Sequence, residues 1–349
     1  MDLLMRRVAV TLCAALAVSC VPDLDSDASR VSAPRVLAIR AEPAEAAPNQ
    51  AVQYSALVAD QSGERRDASL TWFYCTAQKP LAELGPVSPK CLRVDSGQLS
   101  TIGQGPMVQG TLPREACALF GPNPPPPVED QPPGRPVDPD ETGGYKLPVV
   151  LGANAGAGDS VVLYDQRITC GLSGVPPQLS VEFATRYHRN QNPAPSELRV
   201  LEPSGATRVV ALGQPLEVAA GAGVTLEAAW PACPASDTCG DGVCGPDETV
   251  QGCGQDCATQ RGCDGQERFV ALDRGTGTLV VRREAMRLAW YATRGGYDEE
   301  RTGVADDAAA PASRNTWTAP SEPGPATLWV VLRDARGGVG FREQAVIVR

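Results

Sequence analysis

Cysteine, histidine and carboxylate side chains are where chemistry could sit in this chain, and the densest group lies between Cys233 and Cys263. Cys239-Gly240-Asp241-Gly242-Val243-Cys244 leads through Gly245-Pro246-Asp247-Glu248-Thr249 to Cys253 and Gln255-Asp256-Cys257. Thiolates can bind zinc, but zinc sites favour C-x2-C pairs and histidines. This run has no such pair, and His188 is the single histidine of the chain. Asp241, Asp247, Glu248 and Asp256 could supply oxygens to calcium, which takes six to eight hard ligands; the plain alternative is solvated loop surface. Gly152-Ala153-Asn154-Ala155-Gly156-Ala157-Gly158 lacks the G-K-[ST] ending of a phosphate loop and reads as a turn before a strand at Val161. His188, beside Arg189, Asn190 and Gln191, reads as an exposed loop residue, and no G-x-S-x-G elbow offers it a serine. Paired carboxylates, as in glycoside hydrolysis, have 41 acidic residues to draw on, yet no pair stands out. The site residues thus include no assigned catalytic group.

The elements that position these groups begin with an export signal. Arg6 and Arg7 precede an apolar run from Val8 to Val18, too short for the roughly 20 residues that span hydrocarbon. Leu16-Ala17-Val18-Ser19-Cys20 follows. This segment resembles the lipobox of bacterial lipoproteins, which implies cleavage after residue 19 and a lipidated Cys20; Ala17 and Asp2 depart from the usual pattern. Removing Cys13 and Cys20 from twelve cysteines leaves ten: Cys75, Cys91, Cys117, Cys170 and the six of the dense group. Ten cysteines in an exported chain read as disulfides. Cys233 follows one apolar run and Cys263 precedes the next, so a bond between them would close the segment at its stalk; the inner pairings stay open.

Gly 35 and Pro 32 make turns frequent and long helices few. From Arg35 onward, short β-rich runs are separated by Gly, Pro and Asp, the pattern of an all-β sandwich. The two halves echo each other. Val36–Pro43 matches Leu198–Pro203, Val52–Val58 matches Val224–Trp230, and the Trp72 run matches the Trp290 run. Ser160–Thr169 aligns with Ala326–Arg333, and Leu179–Tyr187 with Phe341–Val348. This order resembles bacterial immunoglobulin-like domains and implies two such sandwiches in tandem, the second with a disulfide-rich insertion. The expected layout is a signal peptide (1–19), a lipidated cysteine and flexible tether (20–34), domain 1 (35–195) with a Pro-rich insertion (121–140), and domain 2 (196–349) with a Cys-rich insertion (231–265).

The C-x4-C-x8-C-x3-C spacing with G-D-G and P-D-E-T resembles a small cysteine-rich module of secreted and lipidated proteins of myxobacteria and their relatives. Together the features imply a non-catalytic, lipid-anchored envelope protein, a binding or structural module that meets the membrane through its lipid and an envelope protein or glycan through its folded part. A retention signal after Cys20 is not evident, which points to the outer membrane. The alternative is a secreted hydrolase working through carboxylates. A net charge of −10 has the wrong sign for nucleic acid. No cofactor other than calcium is suggested.

Overall fold

The computed structural model describes residues 28–78, 87–123, 140–154, 159–202, 204–258 and 262–349. Cys20, the signal peptide and most of the Pro-rich insertion lie outside the described residues. The first sandwich comprises β1 (Arg35–Glu42), β2 (Glu45–Ala46), β3 (Ala51–Asp60), β4 (Gly63–Glu64), β5 (Ser69–Cys75), β6 (Leu99–Gln104), β7 (Met107–Thr111), β8 (Gly144–Asn154) and β9 (Asp159–Thr169), with helix α1 (Ala116–Phe120) after β7. β1, β4 and β7 pair with β3, and the facing sheet runs β2-β9-β8-β5-β6. Alternation explains the core: Leu70, Trp72 and Tyr74 of β5 meet Tyr145, Leu147, Val149 and Leu151 of β8, while Val52, Tyr54 and Val58 come from the other sheet. Each such large apolar side chain, fully buried, contributes about 1.5–3 kcal/mol. The Trp72 indole also donates to the Gly105 carbonyl at 2.8 Å, so its one polar atom is satisfied.

A helix, α2 (Pro177–Arg186), links the sandwiches. The second comprises β10 (Glu197–Leu201), β11 (Thr207–Val210), β12 (Leu216–Val218) and β13 (Gly223–Ala229), then a one-turn helix α3 (Gly254–Cys257). It continues with β14 (Arg268–Asp273), β15 (Thr278–Arg283), β16 (Met286–Ala292), β17 (Gly296–Tyr297), β18 (Arg301–Val304), β19 (Ala312–Thr318), β20 (Gly324–Asp334) and β21 (Val339–Val348). Its sheets run β11-β10-β13-β19-β17 and β12-β21-β20-β16-β18, with β14 and β15 as a separate hairpin. Trp290 on β16 is fully buried, as Trp72 is on β5, and donates to the Thr302 hydroxyl at 2.9 Å. In both copies the first strand pairs antiparallel with β3 or β13, and a short strand, β2 or β12, runs parallel to the closing strand. These are two immunoglobulin-like sandwiches.

The strand order corrects part of the internal alignment. The tryptophan strand pairs with β8 in one copy and β20 in the other, so β8 is the counterpart of β20 and β9 that of β21. Gly152 to Asn154 are the end of β8, in register with Asp159 to Val161 of β9, and not a turn. Leu179–Arg186 is helical, and Tyr187 ends the helix in extended conformation. Leu179, Val181 and Phe183 alternate as a strand would, but Val181 is 65 % exposed, whereas Phe183 and Tyr187, one helical turn apart, are buried. Pro177 at the first helical turn, with its φ already set, fixes the start.

The sandwiches share a third apolar cluster. Leu37, Ala38, Leu57 and Ala59 of the first pack on Ala289, Trp329, Val331 and Val339 of the second. Val31 joins them, fully buried, and its N–H donates to the Ala292 carbonyl at 2.8 Å while Ala292 donates to Ser29 at 2.9 Å. The expected tether is therefore docked from residue 28 onward, because Val31 finds an apolar slot and the end of β16 offers free backbone groups.

Candidate functional site at the domain junction

Beside that apolar cluster lies a buried polar one, built where the linker after α2 threads between the sandwiches. Glu45 on β2, flanked by Ala44 and Ala46, is fully buried in the first sandwich. Its carboxylate accepts from Arg167 on β9 at 2.9 Å, from the Thr169 hydroxyl at 2.8 Å, from the Asn190 N–H at 3.0 Å and from the Tyr187 hydroxyl. Asn190 then donates through its side-chain amide to Asp334 at 3.1 Å. Asp334 also accepts from the backbone of Arg336 at 2.8 Å and Gly338 at 2.9 Å, which shapes the turn between β20 and β21. A Cβ at Gly338 would lie 2.6 Å from the Gln191 carbonyl, so only glycine lets the linker approach this closely.

Arg336 is the hub. Its guanidinium donates to Glu284 at 2.7 Å, to the His188 carbonyl at 3.2 Å and to Glu267, and it stacks 4.7 Å from the Phe269 ring centroid. Three carboxylates thus pair with two buried guanidiniums, and Asp334 lies beside them on backbone N–H groups and the Asn190 amide. Burial would raise Glu45, but Arg167, Arg336 and the hydrogen bonds from Tyr187 and Asn190 hold its carboxyl below the usual range. For Glu267 burial wins and pushes the carboxyl up to about 7; Glu284 and Asp334 are raised for the same reason, against the pull of Arg336.

His188 is buried here, not exposed as the sequence suggests. The linker carries it under the Cys-rich segment, where Nε2 donates to the Gly245 carbonyl at 2.8 Å and lies 3.6 Å from Cys244 Sγ. Burial holds its imidazole below the ordinary pKa. The structure pairs Cys75–Cys91, Cys117–Cys170, Cys233–Cys263, Cys239–Cys253 and Cys244–Cys257. Cys233–Cys263 closes the segment at its stalk, yet the segment does not stand free. Arg186 of α2 donates to the Pro246 carbonyl at 3.0 Å and Asp247 at 2.6 Å, and Arg268 of β14 pairs with Asp237 at 2.8 Å.

The four carboxylates considered for calcium are dispersed over separate tasks. Asp256 accepts from the N–H groups of Gly240 and Gly242, the latter at 3.2 Å, and so holds the G-D-G loop. Asp241 caps Val243 at 3.0 Å, Asp247 faces Arg186, and Glu248 accepts from the Gly245 N–H at 2.9 Å. Only Glu248 and Asp256 come together, beside the Cys239–Cys253 disulfide, and of Glu248 one oxygen has no partner. Six to eight oxygens do not converge among the described residues.

A cleft of about 900 Å³ opens at the junction, between the β1 and β9 edge of the first sandwich and the β20–β21 turn of the second. Tyr145, Lys146, Tyr164, Asp165, Phe269 and Arg336 contribute to its wall. Its carboxylates are engaged: Asp165 lies 3.5 Å from Lys146, and Asp334 serves the turn. Sequence reading missed Glu45, Arg167, Asn190, Glu267, Glu284, Asp334 and Arg336. The available signal was weak: a glutamate between two alanines, and Arg-Asp-Ala-Arg-Gly-Gly closing an apolar strand.

No family model matches the chain, and no curated protein matches it. Among solved structures, it aligns with fibronectin(III)-like modules of Clostridium thermocellum CbhA at 10 % identity, covering 90 % of this chain and 94 % of that one, with a TM-score of 0.22. The D00-D0 domain of intimin aligns at 10 % identity over 91 % and 98 %, TM-score 0.19. A Bacteroides ovatus mixed-linkage glucan protein, SGBP-B, in complex with a heptasaccharide, aligns at 10 % identity over 90 % and 70 %, TM-score 0.17. Superpositions this loose bear on neither ligand nor activity. The fold rests on the strand order.

Proposed function

We propose that the chain is an exported, lipid-anchored envelope protein that acts as a non-catalytic binding module, its two sandwiches held as one body so that the junction cleft keeps its shape. The observation that carries this reading is the buried junction itself. A linker tied into both sandwiches by Glu45, Asp334 and Arg336 preorganises a cleft, which lowers the ordering cost of binding. Five disulfides fit an oxidising compartment outside the cytoplasm. No helix of the described residues is long and apolar enough to cross a membrane, so acylation at Cys20 would be the anchor. The single histidine faces a carbonyl and a disulfide sulfur, an arrangement without a nucleophile for it to activate.

Crosslinking and pull-down from envelope extracts, together with a glycan array, tests the reading. The wild-type chain captures a defined envelope protein or glycan, and Lys146→Glu with Asp165→Lys in the cleft abolishes the capture without lowering Tm. Glycan hydrolysis that disappears in Asp165→Asn would instead establish the carboxylate hydrolase. Mass spectrometry of the mature chain reads the anchor: an unmodified Cys20 would remove it.

A further inference from the structure

The face of the β20-β16-β18 sheet that packs on the first sandwich runs out beside that contact into a margin of arginines without carboxylate partners, with Arg287 and Arg301 exposed and Arg333 half-buried. Arg287 and Arg333 sit directly opposite each other across β16 and β20. Arg301 pairs with Ala289, two residues along from Arg287, and so shares its face. The Arg35 guanidinium lies 5.2 Å from the Tyr291 ring centroid on the same face, and Arg30 bridges to Ala292 next door. Arg333 donates to the Leu37 carbonyl at 3.0 Å and Arg35 to the Ala28 carbonyl at 2.6 Å. Among the described residues, none of these five arginines has an ion-pair partner, in a chain whose net charge is −10. Glu300, the neighbouring acid, accepts from the Ala28 N–H at 3.0 Å. Burial and the nearness of Arg301 hold the Arg333 guanidinium below its usual range. Like charges opposed across strands destabilise a sheet. An anion from outside the chain would relieve them.

The position of the patch selects the anion. Residues 28–31 lie along the end of β16, and from Cys20 to Ala28 eight peptide steps span at most about 29 Å. Whatever holds Cys20 therefore holds this face close to it. We propose that the arginine face docks on the anionic phosphate headgroups of the membrane that carries the anchor, an inference that rests on the lipidated Cys20 reading. Arginines reach such a surface only within a Debye length, about 8 Å at physiological salt. The acidic remainder of the chain is repelled, so the patch sets which way the molecule faces.

Vesicle sedimentation of the exported chain carrying Cys20→Ala isolates the patch from the lipid. The chain binds phosphatidylethanolamine vesicles containing phosphatidylglycerol, does not bind phosphatidylcholine vesicles, and is released by salt. Arg287→Ala with Arg301→Ala lowers partitioning about 25-fold, roughly fivefold per arginine. Arg208→Ala, on the opposite sheet, changes it by less than about twofold. Neither variant lowers Tm, since all three side chains are exposed. Equal binding of wild type and double variant overturns the proposal. So does binding to soluble polyphosphate with no retention on vesicles, which would assign the patch to a free anion. Acylation is read separately on wild-type Cys20: an unmodified cysteine with vesicle binding intact removes the anchor reading and still supports the lipid-facing patch.

Discussion

The sandwich cores and the ionic cluster at the junction are both buried, yet they are built from opposite materials. In the cores, Trp72 and Trp290 sit among aliphatic and aromatic side chains, each with its single N–H satisfied. At the junction, Glu45, Glu267, Glu284 and Asp334 are packed against Arg167 and Arg336. Apolar packing is forgiving about direction and stabilises each sandwich on its own. A hydrogen-bonded ionic cluster contributes little net stability, because desolvation offsets most of the Coulomb gain, but it tolerates one geometry only. The contrast teaches a division of labour. The cores make two domains, and the junction fixes how they sit.

Truncations set the scale of that contrast. Trp72→Ala and Trp290→Ala each cost about 3–5 kcal/mol, measured by denaturant unfolding, because each leaves a large cavity. Arg336→Ala costs a similar 3–5 kcal/mol by leaving buried carboxylates uncompensated. What separates the two regions is rescue: Arg336→Met combined with Glu267→Gln and Glu284→Leu returns most of the loss, whereas no second polar change rescues a missing tryptophan. Failure of that rescue would mean the junction is a core like the others.

Next in size is the Cys-rich segment. Replacing Cys233 and Cys263, 30 residues apart, with alanine relaxes a loop whose closure is worth about 3–4 kcal/mol in the entropy model. The loss shows as early proteolysis between them, with both sandwiches intact. Chelator should leave the melting of this segment unchanged, because its carboxylates already hold backbone N–H groups and arginines. A calcium-dependent rise in Tm would support the metal reading.

The pH response sharpens the comparison further. Glu267 has its pKa raised from 4.5 to about 7, and a raised carboxyl stabilises the fold fully below the unfolded value and loses that contribution as pH climbs through the folded one. Glu284 and Asp334 act in the same sense, while Glu45, lowered, acts in the opposite sense at acid pH. Stability of wild type therefore falls between about pH 4.5 and 7 relative to Glu267→Gln, in urea titrations across that range. The smallest effect belongs to the surface. Arg349→Ala, which breaks an exposed pair with Glu217, costs under about 1 kcal/mol.

These differences also explain what the sequence made legible. Alternation around Trp72 and Trp290 identified the core strands, since an apolar face leaves a periodic trace. β8 was missed because Pro148 interrupts a run otherwise fit for a strand; it falls one residue beyond the last pair with β5, where that ladder has ended. The segment after Pro177 was misread because exposed Val181 supplied a false period of two. Glu45, Asn190 and Arg336 left only a faint trace. Their partners lie more than a hundred residues away in several cases, and charge in a sequence reads as surface until a contact shows otherwise.

That the junction holds the sandwiches as one body is tested most directly by the distance between them. Spin labels at Met107 and Val209, exposed positions on the two different sandwiches, report it through dipolar coupling. The wild-type chain gives one narrow distance distribution, which broadens in Arg336→Ala while both domains remain folded. A broad distribution in the wild type, unchanged by that substitution, would contradict the account.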